Sequence, residues 1–468
     1  MQLALPGEAQ ESLPASPALR RLESPGGSAA AATPFFREDH VHSSLVDFYR
    51  CPESLAFASL ENRNREAECS YFGEGVPHGL PMHSKTVDDL RLERYSKQSP
   101  TGFRALLASE TVRSLYYRIR PALSDSLRQS LQRFFLRDWD QLPFPRWPVD
   151  TSVEDNLEHH LLLAMKSSGA ERVPFIWFWP DGASSAAILT HDVECASGLG
   201  FVPDLINVDD EFGIKTSFQL VPKQRYVVSA GLLAMIRDRQ CEVNVHGLNH
   251  DGNLFKDRNT FLGQCQQINQ YVREFKAEGF RSACMYRNVE WYKELNISYD
   301  MSVPNVAHLE PQRGGCCTVF PYFIGKIIEL PLTTIQDYSL FHILGDYSIE
   351  LWKRQIEIIA EKHGLISFIV HPDYIFAKRA LPVYKELLVY LSHLRSDRNV
   401  WIARPGDVNR WWRERNAMKL MFIEGVWQIE GRGREQARIG FASMEGDRIV
   451  YKVGQISEPA VAAEFERA

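Results

Sequence analysis

The sequence predicts an α/β protein: a distorted (β/α)7-type barrel with a helical N-terminal extension and a small C-terminal antiparallel β appendage. Three features of the chain lead to that class. Between about residues 171 and 412, short apolar segments alternate with helical patterns, as in a parallel sheet covered by helices. Before that stretch, apolar residues recur at helical spacing. After it, they alternate in twos between polar turns.

Composition narrows the function classes. The chain has 468 residues, 44% hydrophobic and 24% charged, with a net charge of −6. These are ordinary values for a water-soluble globular protein, and nothing in them suggests a nucleic-acid partner. Eight cysteines are scattered without a C-x-x-C, and Cys316 and Cys317 are adjacent. A disulfide framework is not expected, and a reducing, cytoplasmic location is. No run of about 18 apolar residues predicts a membrane span. The N-terminus shows no basic segment followed by an apolar one, so no secretory signal is expected.

Taken in order, residues 1–33 are rich in Ala, Pro, Ser and Gly, a composition that predicts a disordered leader. Residues 34–170 form the helical extension. Its strongest helical pattern runs from Ser109 to Trp139, with a break at Pro121. The opposite face carries Arg113, Arg118, Arg120, Arg128, Arg133 and Arg137. It reads as a solvated face, with peripheral contact to an anionic membrane surface as the alternative. Pro143–Pro148 forms a rigid connector, and a short helix follows over Val153–Ser167.

The barrel region, 171–412, offers strands at Ala186–Leu189, Lys215–Val221, Glu242–Val245, Arg281–Met285, Lys326–Leu332, Ser367–Val370 and Val400–Ala403. Helices are expected at Ala230–Arg239, Asn259–Gly279, Ile349–His363 and Pro382–Leu394. Residues 413–468 form the β appendage, with strands at Val426–Ile429, Ala437–Ser443 and Arg448–Val453.

The residues that carry chemistry collect at the carboxyl ends of predicted strands, the face on which βα folds build their sites. Ala186–Leu189 runs into Thr190-His-Asp-Val-Glu194, and Glu242–Val245 into His246-Gly-Leu-Asn-His250. Arg281–Met285 runs into Tyr286-Arg-Asn-Val-Glu-Trp291, and Ser367–Val370 into His371-Pro-Asp373. The four-residue gap between His246 and His250 places both imidazoles on one face of a helical turn, a start for a divalent metal site. His191 alternates away from Asp192 and reads as structural. Asn249 and Asp251 read either as partners of the His250 imidazole or as turn residues. The run Asp209–Glu211 reads as a solvated loop.

In this order the motifs resemble the polysaccharide deacetylase family (NodB-like, carbohydrate esterase family 4). That family has a T-F-D-D first motif, H-x3-H second, an arginine-centred third and a final L-x-H. The resemblance spans about Phe175–Trp412. Val193 stands where the family has its second, metal-binding aspartate, and Glu194 follows, as in the T-H-D-V-D/E variant. The resemblance implies a metal held by His246, His250 and Glu194, with Asp192 as general base. Arg287 would orient Asp192, and His371 would act as general acid, tuned by Asp373 or Asp300. Tyr286 and Trp291 would meet the substrate. Zinc is the first expectation for the ion, with Co, Ni, Mn or Fe also suited. The implied reaction removes an acetyl group from an N- or O-acetylated sugar, a precursor of a bacterial surface polysaccharide. The alternatives are hydrolysis of a non-sugar amide and an inactive glycan-binding relative.

Overall fold

A computed structural model describes residues 41–52, 84–97 and 125–454. The leader, and the part of the arginine-rich pattern before residue 125, lie outside them. The first helices are α1 (Val41–Tyr49), α2 (Ser84–Arg91), α3 (Asp125–Leu136) and α4 (Ser152–Ser168). Helix α4 ends where Gly169 takes a left-handed conformation (φ 71°) and its N–H bonds the Met165 carbonyl. Strand β1 (Arg172–Ile176) then leads to β2 (Ser185–Val193), whose nine residues are all buried.

From β2 the chain alternates between strands and helices. It runs through α5 (Ala196–Glu211), β3 (Ser217–Leu220), α6 (Ala230–Asp238), β4 (Glu242–His246) and α7 (Arg258–Glu274). Strands β5 (Gly279–Arg281), β6 (Tyr299–Asp300), β7 (Tyr322–Ile324) and β8 (Ile327–Glu329) follow. The repeat closes with α8 (Glu350–Glu361), β9 (Leu365–Ile369), the single turn α9 (Pro372–Ile375), α10 (Ala380–Arg398), β10 (Val400–Ala403) and α11 (Pro405–Ala417).

Strand β2 is the axis of the sheet. It pairs in parallel with β9 along Ala186–Thr190, with β10 along Ser185–Ile188, and with β3 along Thr190–Val193. The parallel order then continues β3-β4-β5-β6-β8, with β7 added antiparallel to β8. The last seam is short of a regular ladder. Thr334 N–H reaches the Ser367 carbonyl (3.3 Å), and the Thr333 hydroxyl accepts from Ser367 N–H (2.9 Å) while donating to the Leu365 carbonyl. These threonines join the end of the β8 segment to β9 and curl the sheet into a distorted barrel, as the alternating pattern predicted.

The strand ends differ from the expected ones in places that matter. Helix α7 stops at Glu274 and its chain turns at Lys276, which takes a positive φ of 46°. The following strand is therefore Gly279–Arg281, not Arg281–Met285. After it come a 3-10 turn at Ala283–Met285 and a backbone with positive φ at Cys284 and Met285. The stretch Asp209–Glu211 is the end of α5, and Asp209 is buried. It accepts from His191 Nε2 (3.0 Å), Thr216 Oγ1 (3.1 Å) and the Tyr384 hydroxyl (2.5 Å). An apolar-sided helix and a pinned histidine explain what composition alone read as a solvated loop.

Beyond the barrel, β11 (Lys419–Ile423) and β12 (Val426–Glu430) form a hairpin. Strands β13 (Ile439–Glu445) and β14 (Arg448–Val453) form another. The second hairpin continues onto β1, with Phe175 opposite Gly440. No described helix is long and apolar enough to cross a membrane.

Candidate metal centre

Period-two alternation along β2 decides which side chains enter the barrel. His191 faces outward, its Nδ1 on the Val370 carbonyl (3.0 Å) and its Nε2 on Asp209. Val193 falls on the same outward side and is fully buried. Asp192 and Glu194 therefore share the inner side. Val193 faces away from the interior, and the next residue, Glu194, returns to it.

His246 is the last residue of β4, and His250 lies in the loop beyond it, at φ 53°. The expected helical turn is not what brings them together. Gly247, at φ 60°, starts a loop that folds back, and the two rings stand 4.9 Å apart between centroids. A non-glycine residue in the left-handed region is uncommon, and such strain gathers at functional sites. His246 Nδ1 lies 3.1 Å from the Arg281 carbonyl, which can only accept. That fixes the proton on Nδ1 and leaves Nε2 with a free lone pair facing the site.

Glu194, His246 and His250 each offer a ligand atom, and these atoms lie within 4.8 Å of one another. Glu194 Oε1 and His250 Nε2 are 2.9 Å apart. His246 Nε2 is buried without a hydrogen-bond partner, and His250 Nε2 is buried against the Glu194 carboxylate. Buried polar nitrogens are costly when unpaired, and two of them aimed at one carboxylate suit a divalent cation. Burial holds the His246 imidazole down at about 4, so it is neutral at physiological pH and ready to ligate. Burial pushes the Glu194 carboxyl up, but His250 and His371 outweigh it and keep it well below the usual range. The residues fit a metal.

Two further groups flank the triad. Asp192 Oδ2 is 3.7 Å from His246 Nε2, and Asp192 Oδ1 accepts from Arg281 Nη1 at 2.7 Å. Burial works against its charge, but Arg281, His246 and His371 lower its pKa below the ordinary carboxylate value. On the other side, His371 Nε2 is 3.6 Å from Glu194 Oε1. Its Nδ1 meets Asp337 Oδ1 at 2.6 Å, and its backbone N–H donates to Asp337 Oδ2 (2.8 Å). Burial alone would lower the imidazole, yet Asp337 and Glu194 raise it well above 6.5.

Several expected partners stand elsewhere. Arg281, not Arg287, binds Asp192, because β5 ends six residues earlier than Arg287. Arg281 also donates to Thr190 Oγ1 (2.7 Å) and the Met301 carbonyl (2.9 Å). Arg287 instead makes a two-pronged pair with Glu93 of the N-terminal extension, with Nε at 2.6 Å from Oε2 and Nη2 on Oε1. The carboxylate hydrogen-bonded to the His371 ring is Asp337, rather than Asp373 or Asp300. Asp300 accepts from the Ser302 N–H and hydroxyl (3.0 and 2.8 Å). Asp251 closes a turn onto Asn253 N–H (2.9 Å). Trp291 packs beside Phe255 and Phe261, 6.2 and 5.4 Å between ring centroids, with the Arg258 guanidinium over its ring. Tyr286 is buried in the turn after β5. Asp337 lies eight residues beyond the end of β8, too far for the strand-end pattern to single it out.

Solved structures of low sequence identity each cover about half of this chain. A protein of Mycobacterium smegmatis described as a polysaccharide deacetylase is 18% identical, with 51% of this chain and 93% of that one covered at a TM-score of 0.41. The PuuE allantoinase is 13% identical, covering 50% and 92%, TM-score 0.40. A Pseudomonas aeruginosa PAO1 protein described as a polysaccharide deacetylase is 13% identical, covering 50% and 93%, TM-score 0.39. No protein-family model matches the sequence, and no curated protein matches it significantly.

Proposed function

We propose that this protein is a metal-dependent hydrolase of the polysaccharide deacetylase family, removing an acetyl group from an N- or O-acetylated sugar. The reading places the chemistry in residues 171–412, with 34–170 and 413–468 flanking it. A cytoplasmic glycan precursor suits the scattered cysteines. The observation that carries the reading is a triad of two buried histidines and the partly exposed Glu194, with a carboxylate held ionised on one side and an imidazole held protonated on the other. The order of the four motifs along the chain supports it independently.

A divalent ion held by Glu194, His246 and His250, zinc first among the candidates, would supply Lewis-acid polarisation of the acetyl carbonyl and an acidified water. Asp192 keeps Oδ2 free while Arg281 occupies Oδ1. Oδ2 takes the proton of the water as its oxygen adds to the carbonyl carbon. Arg281 holds the carboxylate in place and favours its charged form. His371 Nε2–H protonates the departing amine nitrogen or alcohol oxygen as the C–N or C–O bond breaks, and acetate is left. Asp337 orients the imidazole and keeps its proton available at neutral pH.

Metal analysis together with acetate release from acetylated sugars tests the proposal. Asp192→Asn is expected to reduce acetate release by about 10²–10⁴-fold, with metal retained. Full release by that variant would remove the base assignment. Metal retained by a variant carrying both His246→Ala and His250→Ala would place the ion elsewhere. One observation favours a second reading, a small non-sugar amide as substrate. Asp192, His246, His250 and His371 are all nearly enclosed, and Trp291 is engaged in packing rather than forming an open wall. Turnover of small amides without turnover of acetylated sugars would decide for it.

A further inference from the structure

Glu194 lies one residue past the last ladder pair of β2, which on one side is Val193 opposite Leu220. On the other side the β9 ladder ends with Thr190 opposite Ile369, followed by one bond from Val370 N–H to the Thr190 carbonyl. The sheet therefore does not fix the backbone of the third ligand. A side chain from the segment after β9 does. Asp373 Oδ2 accepts from Glu194 N–H at 2.8 Å, and Oδ1 accepts from Gly198 N–H at 3.0 Å and from the Cys195 thiol. Gly198 allows this approach: a Cβ there would stand 2.3 Å from Asp373 Oδ1. Asp373 belongs to the same turn as His371, so one carboxylate ties the ligand-bearing segment to the segment carrying the proton donor.

We propose that Asp373 is a positioning residue for Glu194, replacing the missing ladder with three hydrogen bonds across Glu194–Gly198. This rests on the metal site proposed above and adds the device that lets a glutamate serve there. Glutamate has one more rotatable bond than aspartate, so an anchored backbone limits the freedom its carboxylate would otherwise lose on ligation. Partners that orient a ligand without touching the ion commonly contribute about 10–100-fold to metal affinity.

The test is zinc affinity of the full-length chain, stripped of metal and titrated against a chromophoric chelator. Asp373→Asn keeps the volume but turns an NH2 toward backbone donors. It is expected to weaken zinc binding by about 10–100-fold, with acetate release restored at saturating zinc. Gly198→Ala, which pushes the carboxylate away without altering it, is expected to do the same. It also stands in for Asp373→Asn if that variant fails to unfold cooperatively on heating. Asp337→Asn, on the far side of His371, is expected to leave zinc affinity within about twofold, so a general loosening of the barrel would be visible. Zinc affinity within about twofold of wild type in a folded Asp373→Asn or Gly198→Ala protein overturns the proposal. A wild-type chain that binds no zinc overturns the site itself, a different result.

Discussion

Arg281 and Arg287 lie six positions apart, both buried and both bonded to a carboxylate, yet they do different things. Arg281 holds Asp192 in the barrel; Arg287 holds Glu93 from outside it. Arg281→Gln is expected to lower kcat by about 10–100-fold, as for other orienting partners. Asp192's pKa is depressed in the folded protein, so its base form is present above that pKa and lost below it. Removing Arg281 raises the pKa, and the acid limb of the kcat/KM profile should move to higher pH. The opposite limb belongs to His371, whose acid form is lost as pH rises through a pKa held above 6.5. Asp337→Asn lowers that pKa, so the alkaline limb should move to lower pH. A profile unmoved in both variants would contradict these roles. His246, His250, Glu194, Asp192 and His371 were legible because strand ends in βα folds face one site. Arg281 and Asp337 were not: the first required the right strand end, and the second lies too far beyond its strand.

At the scale of elements, the misplacement begins with α7. Helices commonly stop at a glycine in the left-handed conformation, and Gly279 is the first glycine after the helical pattern. Lys276 takes that conformation instead, and the strand begins at Gly279. Gly279 is needed there for contact rather than for a positive φ. A Cβ would stand 2.3 Å from the Tyr299 ring on β6, and Gly279 N–H donates to Asn244 Oδ1 (2.7 Å) on β4. The Tyr299 hydroxyl is itself engaged by Asn244 and Glu242, so the ring cannot retreat freely. Gly279→Ala is expected to destabilise the fold by about 1–3 kcal/mol in urea unfolding. A loss under about 0.5 kcal/mol would mean that β6 yields easily. The H-x3-H pair carries the same lesson at smaller range. Spacing alone suggested a helical turn, whereas a strand end and a folded loop deliver both rings to the same place.

At the scale of the whole molecule, the N-terminal extension is bound into the barrel by buried polar contacts. Glu93 accepts two bonds from Arg287 and one from Gly315 N–H (2.6 Å). Arg415 of α11 donates to the carbonyls of Phe48, Tyr49, Ile176 and Trp177. Breaking a buried ion pair from one side leaves an uncompensated charge, at a cost of about 3–5 kcal/mol. Glu93→Gln is expected to lower unfolding free energy by about that amount while leaving zinc affinity within about twofold. A large fall in zinc affinity without loss of stability would make the extension part of the site rather than a brace for the loop after β5.

The sequence by itself determined the alternating α/β pattern and three of the clusters that meet at the site, those of Asp192 and Glu194, His246 and His250, and His371. Period-two alternation also carries Asp192 and Glu194 to one side of β2, whatever stands between them. Tertiary structure decided the partners. Arg281 rather than Arg287, Asp337 rather than Asp373 or Asp300, and Asp373 on the backbone of Glu194 all depend on where neighbouring strands stop. A one-residue change in a strand end moves a side chain by about 3 Å and to the other face of the sheet. Local pattern constrains periodicity well and ends poorly, because an end is set by contacts with elements distant in the chain.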